Sequence, residues 1–208
     1  MTWPLPFSNP WPAGRWLLGL MALGLAWAWP DVDRVRGLIR LTAWTSLGCF
    51  LVAYGAQAAA TRWPSALTQG WRCHRRQWGW LLVGSHAIHL AGILAYRHLD
   101  PALFAANVPA SNWVTGGLAY GLLALMGLTS FDRTARALGP KAWSALHRWG
   151  SLYLWLSFLV AFGKRVPLSP AYLVPVLALL GVMGLRVWCR RQAAGGAAEP
   201  RGVPLSRK

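Results

Sequence analysis

Apolar residues occur along this chain in long runs, separated by short polar stretches in which arginine predominates. Several runs approach the roughly 20 residues that an α-helix needs to cross the apolar core of a bilayer. Helices of this length also pair their own backbone polar groups, as a bilayer requires. The pattern predicts an all-α integral membrane protein, a bundle of six transmembrane helices at about 15–29, 38–60, 77–96, 113–130, 143–163 and 171–188.

These spans divide the chain into three parts. Residues 1–14 form an N-terminal segment rich in proline, residues 15–188 form the membrane domain, and residues 189–208 are small and polar, which favours disorder. The first span is short and ends at Pro30. The fourth span contains four glycines that are expected to allow close helix approach, namely Gly116, Gly117, Gly121 and Gly127.

Charge is scarce but strongly biased, with 12% charged residues and a net charge of +16. The basic residues lie mostly in loops and in the tail, which the positive-inside rule and anionic membrane lipids explain, and which argues against a nucleic-acid partner. With six spans both termini lie on one side of the membrane. That side carries fourteen lysine and arginine residues against six on the other, which predicts that both termini are cytoplasmic.

Histidine is the residue type that points to chemistry within the spans. His86 and His89 lie inside the third span and His147 near the start of the fifth, whereas all five acidic residues lie outside the spans. Proton relays and metal transporters usually employ acidic or sulfur ligands at membrane depth. Haem ligation needs histidines on two facing helices and an apolar pocket. The residues therefore favour haem bound by His89 and His147, and a purely structural, hydrogen-bonded histidine is the alternative.

Several other residues are candidates for contacts with such a cofactor. His86 lies three positions before His89, so it is expected to pack beside the ligand or to hydrogen-bond a propionate. His74 and the basic side chains of Arg75, Arg76 and Arg148 lie near the predicted cytoplasmic ends of their spans. The arginines are suited to haem propionates or to the phosphate of a flavin such as FMN, and equally to a role as topology signals.

Two motifs resemble a known family. The first is Arg75–Gly79 (RRQWG) followed by Ala87–Leu90 (AIHL), and the second is Leu128–Ser130 (LTS) followed by Gly139–Arg148 (GPKAWSALHR). Both resemble the haem-binding membrane subunits of periplasmic methionine-sulfoxide reductase systems, the MsrQ/YedZ family of the ferric-reductase-like transmembrane superfamily. The resemblance spans roughly residues 30 to 165.

The resemblance implies a six-helix protein with one or two b haems in the bacterial inner membrane. Such a subunit passes electrons from a cytoplasmic flavin reductase or the quinone pool to a periplasmic molybdopterin subunit that reduces oxidised methionine. Only about 20 residues follow the last span and G-x-G-x-x-G is absent, so we expect an electron-transfer subunit rather than a complete enzyme. The alternatives are a ferric- or quinone-linked reductase with another acceptor, and a cofactor-free scaffold or transporter.

The chain departs from the family pattern at one ligand position. Relatives typically carry a histidine about 13 residues beyond the one that matches His147, where this chain has Val160. His89 lies roughly 20 Å past Arg76 along its helix, whereas His147 lies roughly 9 Å past Lys141. On depth, His147 therefore pairs more naturally with the His74/Arg75 end, which makes His74 a third candidate ligand.

Overall fold

The fold is described from a computed structural model, in which residues 9–198 are placed. Nine α-helices make up most of these residues, joined by short turns, and no strand occurs among them. In chain order they are α1 (Trp11–Ala28), α2 (Val32–Arg62), α3 (Ala66–Cys73), α4 (Arg75–Leu99), α5 (Pro101–Asn107), α6 (Ser111–Leu128), α7 (Asp132–Leu138), α8 (Pro140–Gly163) and α9 (Leu173–Ala198).

Polar residues in the turns set where several helices begin. The Asp31 carboxylate accepts a hydrogen bond from the Arg34 amide at the start of α2, and the Asp100 carboxylate caps α5 in the same way through Leu103. Ser65 and Thr68 form a reciprocal capping box at the start of α3. Gly139 separates α7 from α8 with a φ of +78°, a conformation that favours glycine.

Each predicted span lies in a helix, but the helices differ in how well they suit a membrane. Three helical segments in the described chain are long and apolar enough to cross: Val32–Arg62, Arg75–Leu99 and Pro170–Gly195. A fourth candidate span arises if α6 and α7, which bend by 106° at their junction, count as one. Six crossings therefore remain a prediction that depends on α1 and α8, whose hydropathy is reduced by polar residues such as Arg15 in α1 and Arg148 in α8.

Helix α2 is the centre of the packing. It lies against α4 over much of its length and also contacts α1, α3 and α9, while α8 joins α6 to α9. The main core cluster includes Leu47 and Phe50 of α2, Leu82 of α4, and Leu154 and Phe158 of α8. Close packing of α2 on α9 depends on Gly55, because a Cβ there would lie 2.6 Å from Val182.

The glycines of α6 behave differently from the sequence-based expectation. In the described structure, a Cβ built on Gly116, Gly117 or Gly121 would meet no other atom within 4 Å. Of the four glycines only Gly127 packs closely on another helix, because a Cβ built there would lie 3.4 Å from the Val83 side chain of α4. The glycine that lets α6 and α8 approach is instead Gly150 of α8, which packs on Met126. Glycines alone do not reveal which face of a helix is covered, and this prediction was wrong for three of the four.

Helix α9 is longer than the predicted sixth span. It continues through Arg190 and Arg191 to Ala198, into the segment that was expected to be disordered. Alanine and arginine favour helix, so the helix can extend past the apolar run. The remainder of the predicted tail, 199–208, and the first eight residues of the N-terminal segment lie outside the described residues.

Candidate functional site

His89 of α4 is held from one side by α2. Its Nδ1 atom lies 2.9 Å from the Thr42 hydroxyl and 3.0 Å from the Ile39 carbonyl oxygen. The Thr42 hydroxyl is itself 2.9 Å from the carbonyl oxygens of Leu38 and Ile39, to which it donates. Because a carbonyl oxygen only accepts, Nδ1 carries the proton. The Nε2 atom is therefore left with its lone pair, which is the arrangement that suits a ligating histidine.

A line of buried hydroxyls continues this contact along α2 and α4. The Ser46 hydroxyl donates to the Ser85 hydroxyl over 2.9 Å, and Ser85 donates to the Thr42 carbonyl over 3.2 Å. Thr42, Ser46 and Ser85 are each 0% exposed. We refer to Thr42, Ser46, Ser85 and His89 as the α2–α4 seam. Such buried hydrogen bonds fix how the two helices are rotated against each other, and so they orient His89.

His86 lies one turn before His89 and faces two other helices. Its ring stacks on His89 with centroids 5.3 Å apart, and it approaches Tyr120 of α6 at 4.9 Å and Phe158 of α8 at 5.7 Å. The His86 Nδ1 atom and the Tyr120 hydroxyl oxygen are both buried and have no hydrogen-bond partner within the described residues. Buried polar atoms usually have a hydrogen-bond partner. Two neighbouring buried polar atoms without one therefore indicate a place where a bound group could supply the hydrogen bonds.

His147 occupies a different environment on α8. Its ring stacks on Trp143 at 4.2 Å, and its Nε2 atom lies 3.3 Å from the Thr129 hydroxyl at the end of α6. To ligate through Nε2, the ring would have to give up the Thr129 contact. His147 is therefore less prepared for ligation than His89.

The two predicted ligands lie at different levels of the bundle. His86 and Phe158 bring α4 and α8 together at one level, and His147 lies eleven residues before Phe158, roughly 16 Å along the helix. His89 lies three residues after His86, on the side away from His147, which adds about 4 to 5 Å to the separation along the bundle. One iron is too small to bridge a separation of about 20 Å.

Two arginines approach the same turn of α2 at the His147 level. The Arg75 Nε atom donates to the Ala53 carbonyl over 2.9 Å, and Arg186 of α9 donates to the neighbouring Tyr54 carbonyl. The Arg186 guanidinium also lies 3.8 Å from the centroid of the Tyr54 ring. None of the ion pairs in the described part of the chain involves either arginine. Their charges are therefore available to an anion.

The remaining predicted residues are placed less favourably for a site inside the bundle. Arg76 pairs with Asp132 over 3.1 Å at the exposed start of α7, so its charge is already compensated. His74 occupies the junction of α3 and α4, where its Nδ1 atom lies 2.9 Å from the Gly70 carbonyl oxygen. Arg148 is exposed on the outer face of α8.

The side chains of this site have the chemistry that a bound haem requires. A haem needs an imidazole nitrogen with a free lone pair, which His89 presents through Nε2, and an apolar lining, which the α4, α6 and α8 side chains around His86 provide. Its propionates need cations, and Arg75 and Arg186 are uncompensated. Near the level of His89, the side chains that α8 buries in the described core are Phe158 and Phe162, and Leu159 is partly buried beside them. Val160, where the family resemblance led us to expect a histidine, is 45% exposed.

Sequence inspection identified His86, His89 and His147 but missed Thr42 and Arg186. A signal for Thr42 exists, because Thr42 and Ser46 are spaced four apart in the second span and Ser85 precedes His89 by four in the third. Arg186 was counted only as a topology charge. Its distance from Tyr54 in the sequence gave no indication that the two would meet.

Comparison with known proteins finds similarity to a haem-binding subunit. No family model matches the chain, and no solved structure is significantly similar to it. A curated protein from Polaromonas naphthalenivorans (strain CJ2), the protein-methionine-sulfoxide reductase heme-binding subunit MsrQ, is 29% identical over 220 aligned residues. The alignment covers 90% of this chain and 97% of that protein. Over nearly its whole length, the chain is therefore similar to a protein that is named as a haem-binding subunit MsrQ.

Proposed function

We propose that this protein is a membrane-embedded b-haem subunit that delivers electrons to a methionine-sulfoxide reductase. The single observation that carries the proposal is the hydrogen bonding of His89, whose Nδ1 proton is directed at α2 and whose Nε2 atom is left as the ligating nitrogen. Similarity to the Polaromonas protein over most of both chains supports the same cofactor class.

The residues have separate roles in this proposal. His89 and His147 would each hold a haem at their own level of the bundle, so the chain has two candidate haem positions rather than one shared iron. His86 and Tyr120 offer hydrogen bonds at the His89 level, where both are orphaned. Arg75 and Arg186 neutralise propionates at the His147 level, and His74 lies nearest that end as a further candidate ligand. When bound, the haem supplies one-electron oxidation and reduction.

The direction of transfer follows the predicted topology. Electrons enter on the cytoplasmic side, from a flavin reductase with FMN or from the quinone pool, and leave on the periplasmic side. The acceptor is a molybdopterin catalytic subunit that reduces methionine sulfoxide. The protein lies in the bacterial inner membrane with both termini in the cytoplasm, and it acts as a subunit rather than as a complete enzyme.

Optical spectroscopy of the purified protein tests this function. After expression with adequate haem supply, the reduced-minus-oxidised spectrum should show the α and Soret bands of a b-type haem. Addition of the oxidised catalytic subunit to the reduced protein should reoxidise the haem. A protein that folds but carries no haem would overturn the proposal, and a reduced haem that the catalytic subunit does not reoxidise would overturn the assigned acceptor.

A further inference from the structure

A surface groove of about 370 Å³ lies at the start of α8, on the side of the helix away from the core. Its lining comes from the first ten residues of the helix, namely Pro140, Lys141, Ser144, Ala145, Arg148 and Trp149. All six are exposed, and Trp149 keeps 66% of its surface accessible. The small side chains of Ser144 and Ala145 form the floor, with Lys141 and Arg148 at either end.

Neither of the two cations in this groove has a counterion among residues 9–198, which the structure describes. The ion pairs in the described part of the chain join Arg34 to Asp31, Arg36 to Asp33 and Arg76 to Asp132. Lys141 and Arg148 are seven residues apart, roughly 10 Å along the helix, and flexible side chains of this length can converge on one anion between them. A cation on the lipid-facing side of a membrane helix is costly unless a headgroup compensates it.

An apolar ridge continues from the groove along the same face of α8. Leu152, Leu156 and Val160 are 37%, 49% and 45% exposed, at spacings that keep them on one side of the helix. The opposite face, which includes Gly150, Leu154 and Phe158, is buried in the bundle. From Trp149 to Val160 the ridge is about 16 Å long, close to half the thickness of a bilayer core.

We infer that this outer face of α8 is a binding site for one anionic phospholipid. The phosphate lies between Lys141 and Arg148, the Trp149 ring marks the boundary of the apolar layer, and an acyl chain lies along Leu152, Leu156 and Val160. Tryptophan is the side chain most typical of this boundary. The apolar ridge argues for a lipid rather than for a free phosphate or FMN, because neither of those has a part that would cover it. The site does not depend on haem.

Native mass spectrometry of the full-length protein in detergent tests the site directly. Phosphatidylglycerol and phosphatidylcholine with identical acyl chains are added in turn, and the lipid-bound fraction is counted. We expect one phosphatidylglycerol to be retained more tightly than phosphatidylcholine. The double variant Lys141→Gln/Arg148→Gln should lose this preference, by a factor of roughly 30 if each cation contributes as basic residues near anionic membranes usually do.

Three controls make the outcome decisive. Lys164→Gln removes one charge at the far end of α8 and should leave the preference for phosphatidylglycerol unchanged. Lys141→Arg/Arg148→Lys keeps both charges and should retain this preference, which keeps the test valid even if the uncharged variant folds poorly. Inorganic phosphate or FMN at millimolar concentration should not displace the lipid. Equal retention of the two lipids, an unaffected uncharged variant, or displacement by phosphate or FMN would overturn the lipid site.

Discussion

The Nδ1 atom of His89 on α4 lies 2.9 Å from the hydroxyl oxygen of Thr42 on α2. This contact and the Ile39 carbonyl together define which nitrogen of His89 is protonated. The relationship links the packing of two helices to the chemistry of one side chain, because a rotation of α2 would remove both acceptors at once. Several consequences can be measured.

Replacement of Thr42 by valine keeps the shape of the side chain and removes the hydroxyl. Partners behind a ligating histidine typically affect affinity by 10- to 100-fold, and the Ile39 carbonyl remains, so we expect a loss near the lower figure. Thr42→Ser should behave like the parent protein. Haem titration of the two variants measures this, and equal affinities in Thr42→Val and Thr42→Ser would show that the hydroxyl does not support the ligand.

The buried serine pair of the α2–α4 seam should contribute to stability. Ser85→Ala leaves the Ser46 hydroxyl without its 2.9 Å partner, and a buried unpaired group costs about 1 to 2 kcal/mol of unfolding free energy. Ser46→Ala/Ser85→Ala removes both hydroxyls, so its cost should be smaller than the sum of the two single changes. Thermal unfolding in detergent compares Ser46→Ala, Ser85→Ala and the double variant. Strictly additive effects on stability would contradict a direct Ser46–Ser85 interaction.

Sequence patterns predicted the helices of this protein better than the way they face each other. The apolar runs indicate where the long helices lie, because the length of an apolar run decides whether a membrane-crossing helix can form. The rotation of each helix is decided by side-chain contacts between distant segments, such as Arg186 with Tyr54, which leave no periodic signal. For the same reason the sequence placed His86 and His89 in one span without showing that His86 faces α6 and α8 whereas His89 hydrogen-bonds α2.

Among the described residues, α8 buries no side chain near the level of His89 that could serve as a second haem ligand. Phe158 and Phe162 are the buried side chains there, and neither is a ligand. A haem held by His89 should therefore bind carbon monoxide in the reduced state, with a shifted Soret band that is lost in His89→Ala. Val160→His should not abolish carbon monoxide binding, because its side chain lies on the exposed face. A haem that remains inert to carbon monoxide in the parent protein would contradict this reading.

The uncompensated arginines should tune a haem at the His147 level. Removal of a nearby positive charge makes reduction less favourable, so Arg75→Gln and Arg186→Gln should each lower the midpoint potential by tens of millivolts. Arg76→Gln is the matched control, since its charge is paired with Asp132 at an exposed position. Potentiometric titration measures the shifts, and an equal effect of all three changes would indicate a general surface-charge effect.

Haem content per chain, measured in the parent protein and in three histidine variants, tests the central claim most directly. His89→Ala and His147→Ala should each reduce the haem content, and losses should add if the two residues hold separate irons about 20 Å apart. His98, which stacks on Trp29 at 5.7 Å outside the bundle, supplies the control, and His98→Ala should leave the content unchanged. A well-folded His89→Ala protein with the full haem content of the parent would contradict the assignment of His89 as a haem ligand.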